Sequence, residues 1–411
     1  MIATMENRDG KMFLGGVRAG ELAERFGSPL FVLEEERIRE NAARILHAFA
    51  HDGVRLFYAV KANPNLRVLE LIRELGIGAD CCSAGEVHLA RRAGFPAFDI
   101  SFTGTALTDA EAHQLAEHSI PSNVDALSQF ERYLPLFPAG LGIRVNPGRG
   151  TGLHQSCTTG GKESKLGIPI DHAPRALEIA RKHGRRVAGL HVHTGSGGLD
   201  VEHFKTVAHT MFELAKDFPE IEYVDLGGGL GVPHNPNDPI FDLQGYADTA
   251  CGLLDNWNAT HPRPLKLYVE PGQYLVSDAG WLLMRVVIRK ETPYEKTFLI
   301  TDSNFNHYLG TALYQSYHEF LKAEDLSAPL AEEIDLCGNL CNTGDSFAKA
   351  RKMPHLVEGD LLAMVNAGAY GLSRASNYNS RPIPAEVMVR DGRAKIIRRR
   401  QTYDDLLLWQ E

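Results

Sequence analysis

The chain has 411 residues, 44% of them hydrophobic and 23% charged, and a formal net charge of −9. That length accommodates one large barrel and a second domain with ample core, and the acidic balance gives no support to nucleic-acid binding. No apolar run approaches the roughly 20 residues of a membrane span, so no membrane association is expected. Residues 1–8 have no apolar leader core, and six irregularly spaced cysteines read as reduced thiols rather than a disulfide framework. A cytoplasmic protein is the expectation.

From about residue 28 to 280, short apolar runs alternate with amphipathic helical stretches. Strands are predicted at 56–60, 78–82, 100–103, 142–145, 189–193, 223–226 and 267–270, and helices at 66–75, 84–93 and 173–183. So many βα units in a row favour a closed α/β barrel of the (β/α)8 TIM-like kind over 28–280. Polar and Gly-rich residues gather just after the strands, where such barrels carry their active sites. Beyond residue 280 the pattern changes to strand-like alternation at 281–288, 297–301, 360–366, 385–389 and 394–398, with Asp391-Gly392 as a hairpin turn. Residues 281–411, joined by 1–27, are expected to form a mostly antiparallel β-sandwich or β-barrel-like domain.

Lys61 ends the apolar run Phe57-Tyr58-Ala59-Val60. A desolvated lysine at a buried strand end has a lowered pKa and makes a good amine for a Schiff base with a carbonyl cofactor. Taken alone, this stretch reads more readily as a solvated lysine at a strand terminus. Gly227-Gly228-Gly229 follows the run 223–226, and consecutive glycines let backbone N–H groups approach a phosphate. Glu270-Pro271-Gly272 ends the next run, with Glu270 either a site carboxylate or a buried cap acceptor. His191 and His193 share one strand face, but no neighbouring carboxylate or cysteine in sequence completes a metal site, so no metal is expected. An imidazole stacked on a planar cofactor is the better reading. Cys337 and Cys341 have poor zinc spacing, and Cys81 and Cys82 read as packed core.

In order along the chain, Tyr58-Ala-Val-Lys61-Ala-Asn63, Ser83-Ala84-Gly85-Glu86, His193-Thr-Gly-Ser196, Gly227-Gly-Gly, Glu270-Pro-Gly, Cys341-x-x-Gly-Asp345 and Gly368-Ala369-Tyr370-Gly371 form one set. Together they resemble the barrel-type pyridoxal-phosphate (PLP) amino-acid decarboxylases, with diaminopimelate decarboxylases nearest. The resemblance implies a homodimer with shared active sites and catalytic roles for Lys61, His193, Glu270, Cys341 and Asp345. Lys61 would hold PLP, His193 would stack on its ring and Ser196 would hydrogen-bond it. Gly228, Gly229, Gly272 and Tyr370 would hold its phosphate. Glu270 would keep the pyridine nitrogen protonated, so that the cationic ring accepts the electrons left when CO2 departs. Cys341 and Asp345 would reach across from the partner subunit, with Cys341 assisting protonation at Cα. The segment 148–164, with His154 and Cys157, reads as a mobile loop over the site.

The pattern departs from the diaminopimelate enzymes where they bind the far end of their substrate. An arginine that follows Glu-Pro-Gly is Gln273 here, another that precedes Pro-Ala-Leu-Tyr is absent from Gly310-Thr311-Ala312-Leu313-Tyr314, and a glutamate after the cysteine is Asn342. Losing one partner of a buried charge pair costs roughly 2–5 kcal/mol. The expectation is therefore a decarboxylase of a specialised pathway, such as siderophore or antibiotic synthesis. Its substrate would have a neutral, conjugated or carrier-tethered far end, met by Gln273, Thr311, Tyr314, Asn342 and Tyr370. The alternatives are a diaminopimelate decarboxylase of lysine synthesis, with Arg374 or Arg381 replacing the missing charges, a PLP racemase, or an inactive regulatory relative.

Overall fold

The computed structural model describes residues 5–152 and 158–411, so His154 and Cys157 of the expected lid lie outside the described residues. These residues form two compact units. One comprises Ala42–Pro233 and Pro239–Tyr274; the other holds the described residues of Met1–Asn41, with His234–Asp238 and Leu275–Glu411.

Eight parallel strands close the first unit into a barrel: Val54–Ala59, Gly78–Cys81, Ile100–Gly104, Ser122–Val124, Leu141–Asn146, Val187–Val192, Tyr223–Asp225 and Lys266–Val269. Each pairs with the next, and the last returns to the first. One helix of seven residues or more lies between each consecutive pair. Leu141–Asn146 and Val187–Val192 are buried along their full length, as a parallel strand is when helices cover one face and the core the other. Inside the barrel the ring of Tyr223 stacks on Tyr268 at 4.8 Å between centroids. Gly189 makes room for it, since a Cβ there would lie 2.3 Å from the Tyr223 ring.

The strand Ser122–Val124 escapes sequence reasoning because it is only three residues long and carries Asn123 where an apolar residue is expected. Asn123 is satisfied across the barrel, accepting from Tyr223 Oη at 2.6 Å and donating to Thr103 Oγ1 at 2.9 Å. Asn65 and Ser83 cap the helices Leu66–Glu74 and Ala84–Arg92, turning the chain outward directly after barrel strands. Ser83 accepts from the Glu86 N–H while Glu86 accepts from the Cys82 N–H, so this stretch is first of all a helix start. Cys81 is buried as expected, but Cys82 lies just past the strand and is exposed.

The second unit is a mostly antiparallel sheet in the order Ser346–Pro354, Leu330–Cys337, Thr297–Thr301, Gly280–Glu291, Leu30–Glu34, Ala385–Arg390 and Arg393–Arg398. Leu361–Met364 and Phe320–Lys322 pair alongside Gly280–Glu291. Asp391 and Gly392 both have positive φ, +49° and +70°, as a two-residue hairpin turn requires. Met5–Arg8, Lys11–Leu14 and Val17–Arg18 add a small antiparallel sheet to this unit. Leu30–Glu34 falls within the 28–280 range expected of the barrel, yet it pairs with Gly280–Glu291 and Ala385–Arg390. Its five buried residues suit a central strand of either unit. Among the described residues no helix is long and apolar enough to cross a membrane.

Trp281 is fully buried in this unit, and its indole N–H donates to the buried Glu34 carboxylate at 2.8 Å. Trp281→Ala leaves a large cavity and removes a donor from a buried charge. The expected loss is about 3–5 kcal/mol in denaturant unfolding of the sheet unit; a loss below about 1 kcal/mol would contradict this packing.

Candidate active site

In the barrel unit the strand Val54–Ala59 runs into a single 3-10 turn, Val60–Ala62, that carries Lys61. Lys61 Nζ donates at 2.8 Å to Asp80 Oδ2, at the end of the neighbouring strand. The lysine keeps about a third of its side-chain exposure, whereas Asp80 is buried. Burial and then the charge of Glu270 push the Asp80 carboxyl up to about 7, against the pull of Lys61.

This arrangement makes a pH prediction. The folded-state pKa of Asp80 lies above its unfolded value, so its contribution to stability is fully present below about pH 4 and is lost as pH rises to about 7. In cofactor-free protein, Asp80→Asn is expected to gain on the parent across that window by on the order of a few kcal/mol. Thermal melts at pH 4 to 8 check it, and a difference independent of pH would contradict it.

Glu270 follows the strand Lys266–Val269 and is 3% exposed. Its Oε2 lies 3.2 Å from His191 Nε2, while its Oε1 is buried with no hydrogen-bond partner among the described residues. Burial raises the Glu270 carboxyl, but His191 and Lys61 outweigh it and bring it to about 2, so it is ionised. Burial, with Glu270 beside it, pushes the Asp225 carboxyl far the other way. His191, Asp225 and Glu270 place ligand-type atoms within 4.8 Å of one another. The expectation that His191 has no carboxylate neighbour is thus corrected. Barrel pairing sets His191 beside Asp225 and Asp225 beside Tyr268, an adjacency that sequence spacing does not reveal.

His193 and His191 do not act as a pair. The His193 Nδ1 accepts from the Gly228 N–H at 3.3 Å, and burial, with Arg144 and Lys61 nearby, holds this imidazole well below its ordinary pKa. Gly228 and Gly229 form a cradle that no side chain could enter: a Cβ would lie 1.9 Å from the Glu270 carbonyl oxygen at Gly228 and 2.1 Å from the Gly195 carbonyl oxygen at Gly229. Gly229 also has φ +95°. Ser196 sits half-buried in the neighbouring loop, and Gly272 packs closely on Ala59. Gln273 is buried and its amide donates to the Leu230 carbonyl at 3.4 Å. Sequence reasoning passed over Asp80, Asp225 and Arg144, although each is a lone charge within an apolar strand.

In the sheet unit, Cys341 is exposed and its N–H donates to Asn379 Oδ1 at 3.0 Å. Asp345 is buried, and its two oxygens accept from the Phe305 and Leu340 N–H groups, each at 2.8 Å. This geometry makes Asp345 a clamp on the loop carrying Cys341 rather than a group offered to a ligand. Asn342 is exposed and accepts from the Gly344 N–H, and Thr311 is buried. Tyr370 has φ +58°, a backbone strain of about 1–3 kcal/mol that is characteristic of functional positions. The Arg374 guanidinium lies over its ring at 4.6 Å and over that of Tyr314 at 5.3 Å.

Residues 35–277 match the pyridoxal-binding domain of the pyridoxal-dependent decarboxylases, and 273–368 match their C-terminal sheet domain. A diaminopimelate decarboxylase of Methanothermobacter thermautotrophicus is 42% identical over 98% of this chain and 96% of its own. That of Escherichia coli K12 is 34% identical over 94% of each. The crystal structure of the diaminopimelate decarboxylase of M. jannaschii with L-lysine superposes with a TM-score of 0.91 at 32% identity, covering 100% of this chain and 98% of the other. These relatives overturn the expectation of a specialised pathway with a neutral-ended substrate.

The barrel residues fit PLP on their own chemistry. Backbone oxygens press so closely on Gly228 and Gly229 that only glycine fits there, Glu270 is ionised with one oxygen unpartnered among the described residues, and Lys61 stands at a strand end close to Glu270. A closed eight-stranded barrel with this set of groups, both matching domains and full-length likeness place the chain in the family of pyridoxal-dependent decarboxylases, and it is a PLP-dependent carboxy-lyase.

Proposed function

We propose that this enzyme decarboxylates diaminopimelate, releasing CO2 and leaving lysine. The 42% identity to a diaminopimelate decarboxylase over nearly the whole chain carries that reading. The bond from Cα to one carboxylate carbon breaks, its electron pair stays at Cα, and a proton then takes the place of CO2. PLP, when bound, supplies the carbonyl that captures the substrate amine and the ring that accepts the electron pair.

The chain's own residues perform the remaining tasks. Lys61 holds the cofactor through its amine, with Asp80 positioning that amine before the cofactor binds. Glu270, ionised and steadied by His191, keeps a proton on the pyridine nitrogen. His193, neutral and anchored by the Gly228 N–H, packs on the ring, and Ser196 hydrogen-bonds the cofactor. Gly228, Gly229, Gly272 and Tyr370 hold the phosphate. Gln273, Thr311, Tyr314, Asn342 and Tyr370 face the substrate. The enzyme works as a homodimer, in which the exposed Cys341 serves the partner subunit's site as proton donor to Cα, held there by the Asp345 clamp. A cytoplasmic location completes the reading.

Steady-state CO2 release from PLP-loaded protein with meso-diaminopimelate, L-lysine, L-ornithine and an amide-capped diamino acid tests the substrate. Diaminopimelate is expected to have the highest kcat/KM. A higher value for any other member of the panel would overturn the assignment.

A further inference from the structure

Gln273, Asn342 and the Gly310–Tyr314 stretch leave the substrate contacts named above without a cation, yet diaminopimelate presents a second carboxylate. The first two arginines after Tyr370 in the sheet unit are Arg374 and Arg381. Arg381 is committed, since its guanidinium donates to the Asn339 carbonyl at 2.9 Å. Arg374 is not. Its backbone N–H closes a turn on the Gly371 carbonyl, which brings the side chain back over the rings of Tyr370 and Tyr314. The guanidinium is half-buried and, among the described residues, has no carboxylate within ion-pair distance. Ring contacts steady a cation without consuming its N–H donors, and a guanidinium presents those donors as a planar fork that matches a carboxylate.

We propose that Arg374, steadied by Tyr314 and Tyr370, is the residue that recognises the distal carboxylate of the substrate. The proposal rests on the reading that the substrate is diaminopimelate. It explains how the chain keeps a dicarboxylate substrate with neutral residues at three positions: the charge has moved to the segment that follows Tyr370. Tyr314 and Tyr370 have a second task, which is to hold that charge in place. The strained backbone of Tyr370 is consistent with a side chain that must serve two neighbours.

The test uses R374M, R374Q and R374K holoenzymes and two readouts. Steady-state kinetics with meso-diaminopimelate are expected to show KM raised about 10- to 100-fold in R374M and R374Q, with kcat little changed. R374K, a point charge without the fork, is expected to fall between them and the parent. The second readout is equilibrium titration of the bound cofactor's absorption with meso-diaminopimelate and with cadaverine, which lacks the distal carboxylate. The diaminopimelate midpoint should move with the substitution while the cadaverine midpoint stays. If both midpoints move equally, or neither moves, Arg374 does not read the carboxylate and the proposal is overturned. If the parent binds diaminopimelate in an Arg374-dependent way but releases no CO2 from it, the proposal stands and the functional reading fails.

Discussion

Lys61→Ala protein is expected to lose decarboxylase activity by about four orders of magnitude or more. The barrel brings one amine to this position, at the end of Val54–Ala59, and Asp80 is its buried partner. Without that amine the cofactor has no covalent anchor, and the group that returns it to its resting state after each turnover is gone. The variant should also fail to show the absorption band of lysine-bound PLP after incubation with the cofactor, while its thermal melt stays near that of cofactor-free parent. Retention of the band, or of more than about a hundredth of the parent rate, would place the anchor elsewhere and undo the site as described.

The second large effect is expected at Glu270. Glu270→Gln keeps size and hydrogen-bonding capacity but removes the negative charge that sits 3.2 Å from His191 and leaves one oxygen open to a ligand. A neutral amide cannot hold a proton on the pyridine nitrogen, so the ring withdraws electrons less strongly. The expected fall in kcat is about 100- to 1,000-fold, comparable with removal of one preorganised electrostatic group. KM should change much less. His191 and Lys61 bring the parent carboxyl down to about 2 against its burial, so the parent rate is expected to show no acid limb from this group. Equal kcat in parent and variant would assign the ring nitrogen to another partner.

Much of the barrel is legible in sequence because seven of its strands are mostly apolar runs that stop at a glycine, a charge or another polar residue. The eighth, Ser122–Val124, is not, because its polar residues are satisfied only by strands brought beside them on closure. Leu330–Cys337 is hidden for a related reason. Glu332 makes the run look like a loop, but its carboxylate takes both guanidinium nitrogens of Arg289 at 2.7 Å, from the strand Gly280–Glu291.

The site divides along the same line. Lys61 and Glu270 can be read because a single charge closing an apolar strand is costly to bury unless a partner or a ligand meets it. Asp80 and Asp225 are equally buried, but their meaning depends on which strands are neighbours. Substrate recognition is the clearest case. Neutral residues at three positions can be read directly, whereas a guanidinium held by two tyrosines depends on a turn at Gly371–Arg374 that no spacing announces.

The central claim, that this chain removes CO2 from diaminopimelate at Cα, is tested most directly by running the holoenzyme on meso-diaminopimelate in D2O and analysing both products. The account predicts one CO2 released for each lysine formed, and one deuterium fixed at the Cα that carried the lost carboxylate. Exchange of deuterium into diaminopimelate without CO2, or no reaction with a fully PLP-loaded protein, would contradict it.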